Sequence, residues 1–368
     1  MEHLTESAEE NESKKFSAYL ERIGRPDLEN KITKEKPWVF VTMEMYGHGN
    51  KGEGGLGILS SDILETAKKI GMPMSLYTLF YPHESKQVLA DDFSQNIVVE
   101  QIDPASRGFK KFDKTVNVFT INNGVFTPTE LEVWIKEDGS IKQVELTEPN
   151  LGRVYEDAKD SDHRLYQEIA LGFGALKASK LLGERPSVIQ LNESATVFRA
   201  LAELDDFLRK EPDFERALAM VREKEIYTNH TLVQAAEAAF SRNQFERFVF
   251  PNIESEDLKK WLRGIINNFG GGLKLSTLTF ALAGKKNGVS RVHAEEASKV
   301  YRDHERKEVE FEAVTNGISM ERWGSEKILS LYREAGILDE FGLPATDYET
   351  NIDALDPAIL KSIKKELR

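Results

Sequence analysis

The sequence predicts an α/β protein built on an open, mostly parallel sheet. Three features carry that expectation: a buried-strand run at residues 37–43 (PWVFVTM), a helical apolar pattern at Ile58, Leu59, Ile63, Leu64, Ala67 and Ile70, and a second strand run at 74–81 (MSLYTLFY). Strand, helix and strand within about 45 residues make a βαβ unit of a parallel sheet. Gly71 closes the helix, and Pro73 prevents its continuation.

Residues 1–36 form an acidic N-terminal segment that reads as a frayed tail or a loose first helix. It lacks the basic-then-apolar order of a signal peptide. Residues 37–355 read as one α/β domain, with a change of texture at about 106–150. There FDKTVNVFTI and ELEVWIKEDGSIKQVELT alternate apolar and polar residues, and Asp138-Gly139 marks a hairpin turn. The stretch is expected to be a small antiparallel β insertion.

Helical spacing returns in HRLYQEIALGFGALKASKLLG. Strand SVIQLN, a helix over 195–210, strand EIYTN and a helix over 231–240 follow. Residues 241–272 are mixed and end in the loop FGGG. Next come a helix from about 273 to 283, a turn and helix in NGVSRVHAEEASKVY, and a strand in FEAVTNG. Asp356-Pro357 reads as an N-cap and first-turn pair that opens an amphipathic helix, AILKSIKKELR.

The chain has 368 residues, 30% of them charged, and a formal net charge of -13 at pH 7. That length allows two ordinary domains or one large domain with insertions. The acidic balance argues against a general nucleic-acid binder, which needs a basic surface to displace counterions. Cysteine is absent; this excludes disulfides, thiolate metal ligands and cysteine nucleophiles, and fits a reducing cytoplasm. No run of about 18 apolar residues suggests a membrane span. Neither a metal-ligand spacing such as H-E-x-x-H nor a G-x-S-x-G elbow occurs.

Residues 51–57 (KGEGGLG) join the first strand to its helix, with Gly52, Gly54 and Gly57 in G-x-G-x-x-G spacing. A dinucleotide site also needs an acidic residue near the end of the second strand. Glu84 comes late, beyond Pro82, so a nicotinamide or flavin site is disfavoured. Two readings of the loop stay open: an anion held by free N–H groups at a helix start, or a tight turn that holds nothing. Polar residues recur at other strand ends. Asn192 and Glu193 follow VIQL, Asn229 and His230 follow EIYT, and Asn316 follows FEAVT. Taken alone, His230 is more simply a packed or capping histidine. Several such ends in one open sheet, where ligands sit beyond the carboxyl ends of strands, tilt toward sugar hydroxyls, which need both donors and acceptors.

In order along the chain, these stretches resemble the N-terminal half of the α-glucan (glycogen or maltodextrin) phosphorylases. MEMY at 43–46 is similar to the family's strand-end M/L-E-F-Y, and GGLG at 54–57 to its glycine loop. RLYQE resembles its R-L-x-Q-E helix, VIQLNES its Q/H-L-N-D/E segment and YTNHTLV its T-x-H-T segment. NGVSRVHAE resembles N-G-V-S-x-L-H-x-E, and VTNGISMERW resembles T-N-G-I-x-x-R-x-W.

The resemblance implies a Rossmann-like open parallel sheet, the N-terminal domain of a GT-B fold. It implies phosphorolysis of terminal α-1,4-glucosyl units of glucan or maltodextrin by inorganic phosphate, giving glucose 1-phosphate. Pyridoxal phosphate is the implied cofactor, relaying a proton through its own phosphate and attached to a lysine of the C-terminal domain. A cytoplasmic enzyme is implied, often a homodimer, with no nucleic-acid or membrane partner. Carried over residue by residue, Gly55 and Leu56 would face phosphate and glucose through backbone N–H groups. His230 would meet the sugar's primary hydroxyl, and Asn316 a further glucose hydroxyl. Asn192, Glu193 and Asn229 are expected on the substrate side, and Tyr46, Gly54 and Trp323 along the cofactor.

There are departures. The family's histidine after N-D/E is Ala195 here. The proline of the T-x-H-T segment is lost in Gln234-Ala235-Ala236-Glu237, and LFYPHESKQ lacks a family glycine. All three bear on the acceptor side. No stretch resembles the cofactor-lysine motif, and residues 356–368 fall where the family's connecting helix leads toward the second domain. The expectation is therefore one wall of a cleft, inactive alone. The alternatives are a non-catalytic glucan-binding or regulatory module of the same fold, and a nucleotide-sugar transferase of the glycogen-synthase type. The second leaves the T-x-H-T and T-N-G-I-x-x-R-x-W stretches unexplained.

Overall fold

A computed structural model describes residues 2–46, 54–154, 161–233 and 237–367. Gly52 of the glycine loop and Gln234-Ala235-Ala236 lie outside them. In chain order the strands are β1 (Trp38–Thr42), β2 (Met74–Leu79), β3 (His83–Leu89), β4 (Gln95–Gln101), β5 (Lys110–Asn122), β6 (Val125–Asp138), β7 (Ile141–Thr147), β8 (Val188–Asn192), β9 (Glu225–Asn229), β10 (Ala239–Ser241), β11 (Gly272–Lys274), β12 (Lys285–Gly288) and β13 (Glu312–Ala313). A nine-stranded sheet runs in the order β13-β12-β9-β8-β1-β2-β7-β6-β5. It is parallel from β13 to β7 and antiparallel across β6 and β5.

The fold is the Rossmann-like α/β class that the sequence predicts. Side chains on a strand alternate between faces, and the two faces of β1 and β2 bury different partners. Phe40, Met74 and Leu76 pack with Leu64 and Ala67 of helix α2 (Gly55–Lys69). Val39, Val41, Tyr77 and Leu79 pack on the opposite side, in the cluster that contains Leu165, Ile169 and Phe173 of a later helix, Ser161–Leu181. The reason is topological. β2 lies on one side of β1 and β8 on the other, so right-handed crossovers put their helices on opposite faces. Gly172 allows the close approach of two helices on that second face: a Cβ there would sit 2.4 Å from the Cβ of Phe198.

The antiparallel insertion forms as expected, with β5, β6 and β7 pairing antiparallel, and β7 joins it to the main sheet by pairing in parallel with β2 from Met74↔Ile141 to Leu79↔Leu146. Three other features differ from expectation. A two-stranded sheet of β3 and β4 was not anticipated. The helix expected over 231–240 does not form at its described end, where Ala239–Ser241 is β10, paired with β11. Asn287-Gly288 is likewise no turn but the end of β12, because its neighbours β9 and β13 offer it a parallel ladder. The N-terminal segment is a helix, Glu2–Arg22, anchored by Phe16 and Leu20 packing with Ile32.

Candidate functional site

From β1 the chain winds outward through β2 and β7, then returns to β8 on the other side of β1. That reversal leaves a crevice beyond the carboxyl ends of β1 and β8, the usual ligand position in open sheets. A cavity of about 720 Å³ occupies it. Its wall includes Gly54, Gly55 and Leu56 from the start of α2, Glu193 after β8, Asn229 and His230 at the end of β9, and Asn316 after β13.

The α2 end is open. Gly54 occupies the N-cap in extended conformation, and no side-chain cap bond forms. A Cβ built on Gly54 or Gly55 meets nothing within 4 Å. The first turn of a helix has N–H groups without intrahelical partners, and its dipole favours an anion. Gly54 and Gly55 are exposed and Leu56 is half-buried.

Beneath the cavity runs a buried hydrogen-bond network. Ser60 Oγ donates to Leu56 O at 2.9 Å, and Thr42 Oγ1 donates to Glu44 O at 3.0 Å. Both hydroxyls therefore accept from Asn192 Nδ2, at 3.4 and 3.1 Å. This fixes the Asn192 amide, so its Oδ1 must accept from His230 Nε2, 2.7 Å away. Nε2 carries the proton and Nδ1 is left as the ring's acceptor. Burial, with His293 nearby, lowers the His230 pKa to about 4, so the ring is neutral at pH 7.

Glu193 adopts φ 72°, a left-handed backbone that costs a non-glycine residue on the order of 1 kcal/mol or more. Its N–H donates to Thr228 O at 3.1 Å, and its Oε1 accepts from the His230 N–H at 2.8 Å. Burial raises its pKa, against the pull of the N–H groups of His230, Ser194 and Thr231. The cavity thus joins helix amides on one side to amide, imidazole and carboxyl groups on the other. Donors and acceptors of that kind suit an oxyanion next to a polyhydroxylated ligand.

Other expected residues lie elsewhere. Asn192 is fully buried, beneath the wall and not on it; its amide serves His230. Tyr46 and Trp323 are outside the cavity lining, on the flank of α2. There Tyr46 N–H donates to Gly57 O at 3.0 Å, and Trp323 Nε1 donates to Asp62 Oδ2 at 2.9 Å. Arg322 joins them: its Nε donates to Asp62 Oδ1 at 2.6 Å, and its guanidinium lies 5.9 Å from the centre of the Tyr46 ring. Sequence reasoning missed Glu44, Arg164, Tyr227 and Tyr301, which also line the cavity. Arg164 opens the RLYQE stretch, and Glu44 lies within MEMY, so both were within reach of the motif comparison. Tyr227 sits inside β9 and carries no local signal.

The fold defines a class: a Rossmann-like α/β sheet with a polar-lined cavity beyond the carboxyl ends of β1 and β8. The relatives are more particular. The chain is similar to a maltodextrin phosphorylase of Thermococcus litoralis, 27% identical over 326 residues, which is 81% of this chain and 38% of the relative. It is similar to a glycogen phosphorylase of Aquifex aeolicus, 27% identical over 82% of this chain and 46% of the relative. It is also similar to a glycogen phosphorylase of Mycobacterium tuberculosis, 25% identical over 86% of this chain and 40% of the relative. The chain thus spans less than half the length of the curated relatives it matches. No protein-family model matches it.

Proposed function

We propose that this chain forms the N-terminal wall of an α-glucan phosphorylase, a cytoplasmic glycosyltransferase that uses inorganic phosphate to release terminal α-1,4-glucosyl units as glucose 1-phosphate. One observation carries the proposal: the uncapped start of α2 shares a single cavity with Glu193, Asn229, His230 and Asn316. The amides of Gly55 and Leu56 receive a phosphate oxygen, with the helix dipole adding to the attraction. The apolar side chains of Met43, Leu56 and Leu59 line the cavity beside them, lowering the local dielectric and so strengthening those bonds. His230 and Asn316 hold hydroxyls of the terminal glucose, and a phosphate held beside its anomeric carbon offsets positive charge as the glycosidic bond breaks.

Pyridoxal phosphate would lie against the flank of α2, where Tyr46 and Trp323 present exposed aromatic surface, Arg322 lies beside the Tyr46 ring, and Gly54 opens the helix start. When bound, the cofactor supplies a phosphate able to pass a proton to and from the substrate phosphate. By the family resemblance, the lysine that holds the cofactor is expected in a C-terminal half beyond this wall.

Calorimetric titration tests the proposal. Maltopentaose and inorganic phosphate are expected to bind the 368-residue chain with positive coupling, each tightening the other, because both occupy one cavity. No glucose 1-phosphate is expected from the chain alone with pyridoxal phosphate; its appearance would contradict the one-wall reading. Ala195, which lines the cavity where the family has histidine, favours a second reading, a non-catalytic glucan-binding module. Maltopentaose binding indifferent to phosphate would support that reading instead.

A further inference from the structure

The stretch 287–293 (NGVSRVH) enters the site described above only through Val289, which lines the cavity, and His293, which lies near His230. Its residues nevertheless converge on the placement of one imidazole. Asn287 Oδ1 accepts from Thr228 Oγ1 at 2.9 Å, tying β12 to β9. Gly288 ends β12, and a Cβ there would lie 2.8 Å from the Ala294 backbone and 2.9 Å from His293 Cδ2. Only glycine lets the helix Arg291–Val300 close onto the strand end. Ser290 caps that helix, its Oγ accepting from His293 N at 3.1 Å.

His293 Nε2 then lies 2.8 Å from Asn229 Oδ1. The direction of that bond is fixed, because Asn229 Nδ2 is used elsewhere. It donates to Tyr227 Oη at 2.8 Å and to the Thr231 carbonyl at 3.3 Å. The Asn229 oxygen must therefore face His293, whose Nε2 carries the proton. Tyr227 Oη, with its lone pair occupied by Asn229, points its hydrogen at Glu193 Oε2, 3.5 Å away. Glu193 Oε1 takes the backbone N–H of His230. Asn229 and Tyr227 are buried, with 1% and 0% exposure.

We propose that His293 is a positioning residue of the candidate site. It orients the Asn229 amide, and through Tyr227 and Glu193 it sets the backbone and ring of His230. The consequence for sugar binding rests on the proposed function; the positioning itself does not.

Imidazole nitrogen spectra of the full chain, with calorimetry using maltopentaose, test it. In the wild-type protein at pH 7, His293 and His230 are both expected as neutral Nε2-protonated rings; an Nδ1-protonated His293 would overturn the proposal before any variant is made. His293→Leu is expected to displace the His230 nitrogen resonances and to weaken maltopentaose binding about tenfold, the scale of one lost buried hydrogen bond. His293→Gln, whose amide still donates to Asn229, is expected to restore both. Thermal unfolding confirms that each variant is folded. Unchanged His230 resonances in a folded His293→Leu protein would overturn the proposal. Failure of the wild-type chain to bind maltopentaose would instead sink the functional reading, with the resonances still deciding the role of His293.

Discussion

Asn192 illustrates how a residue can be found by its sequence position and still be misjudged in its role. Its place at the end of β8 is legible from VIQLN, but whether its amide faces ligand or protein depends on Thr42 and Ser60, which come from other elements. The same limit hides Glu168. It is fully buried on Ser161–Leu181, accepts from Arg164 Nε at 2.9 Å, and its Oε2 has no hydrogen-bond partner among the described residues. Burial raises its pKa from 4.5 to about 7, against the pull of Arg164. The folded state then binds more protons than the unfolded state between those values. The contribution of this group to stability is complete below pH 4.5 and is lost as pH rises through 7. Glu168→Gln cannot titrate. Urea unfolding across pH 4.5–8 is expected to show wild type losing up to about 3 kcal/mol relative to the variant; a pH-independent difference would contradict the assignment.

At the scale of elements, the periodic segments were legible and the irregular ones were not. β1, α2 and β2 follow from apolar spacing with Gly71 and Pro73 as punctuation. The β6–β7 hairpin follows from Asp138-Gly139, where Gly139 takes φ 62°. β10 and β12 were missed because each is short and held by its partners, β11 and β9, with no apolar pattern of its own. The glycine loop was found by spacing, but its openness is a property of the fold: nothing packs where a Gly55 Cβ would be. That separates stability from binding. Gly55→Ala places a better helix former in the first turn of α2 and should leave the melting temperature within a few degrees of wild type, or raise it. It should weaken phosphate binding at least tenfold, because the methyl group occupies the space in front of the amides. Unchanged phosphate affinity in calorimetry would place the anion elsewhere.

For the whole molecule, the strand order decides where chemistry can occur. β1 lies at the reversal of the winding, and the cavity collects Glu193, Asn229, His230 and Asn316 from strand ends far apart in sequence. The sequence suggested these ends belong together only through their equivalent positions in an open sheet. Their joining with the α2 amides depends on the order β9-β8-β1-β2, which apolar periodicity does not encode. Among the described residues no helix is long and apolar enough to cross a membrane. The central claim is that helix-start amides and strand-end polar groups form one site. Residue-resolved amide spectra during titration with inorganic phosphate and maltopentaose test it most directly. The amides of Gly54, Gly55 and Leu56 are expected to shift saturably with phosphate, and those of His230 and Asn316 with maltopentaose, each set responding again when the second ligand is added. Saturable shifts confined to another surface, or none at Gly54, Gly55 and Leu56, would contradict the claim.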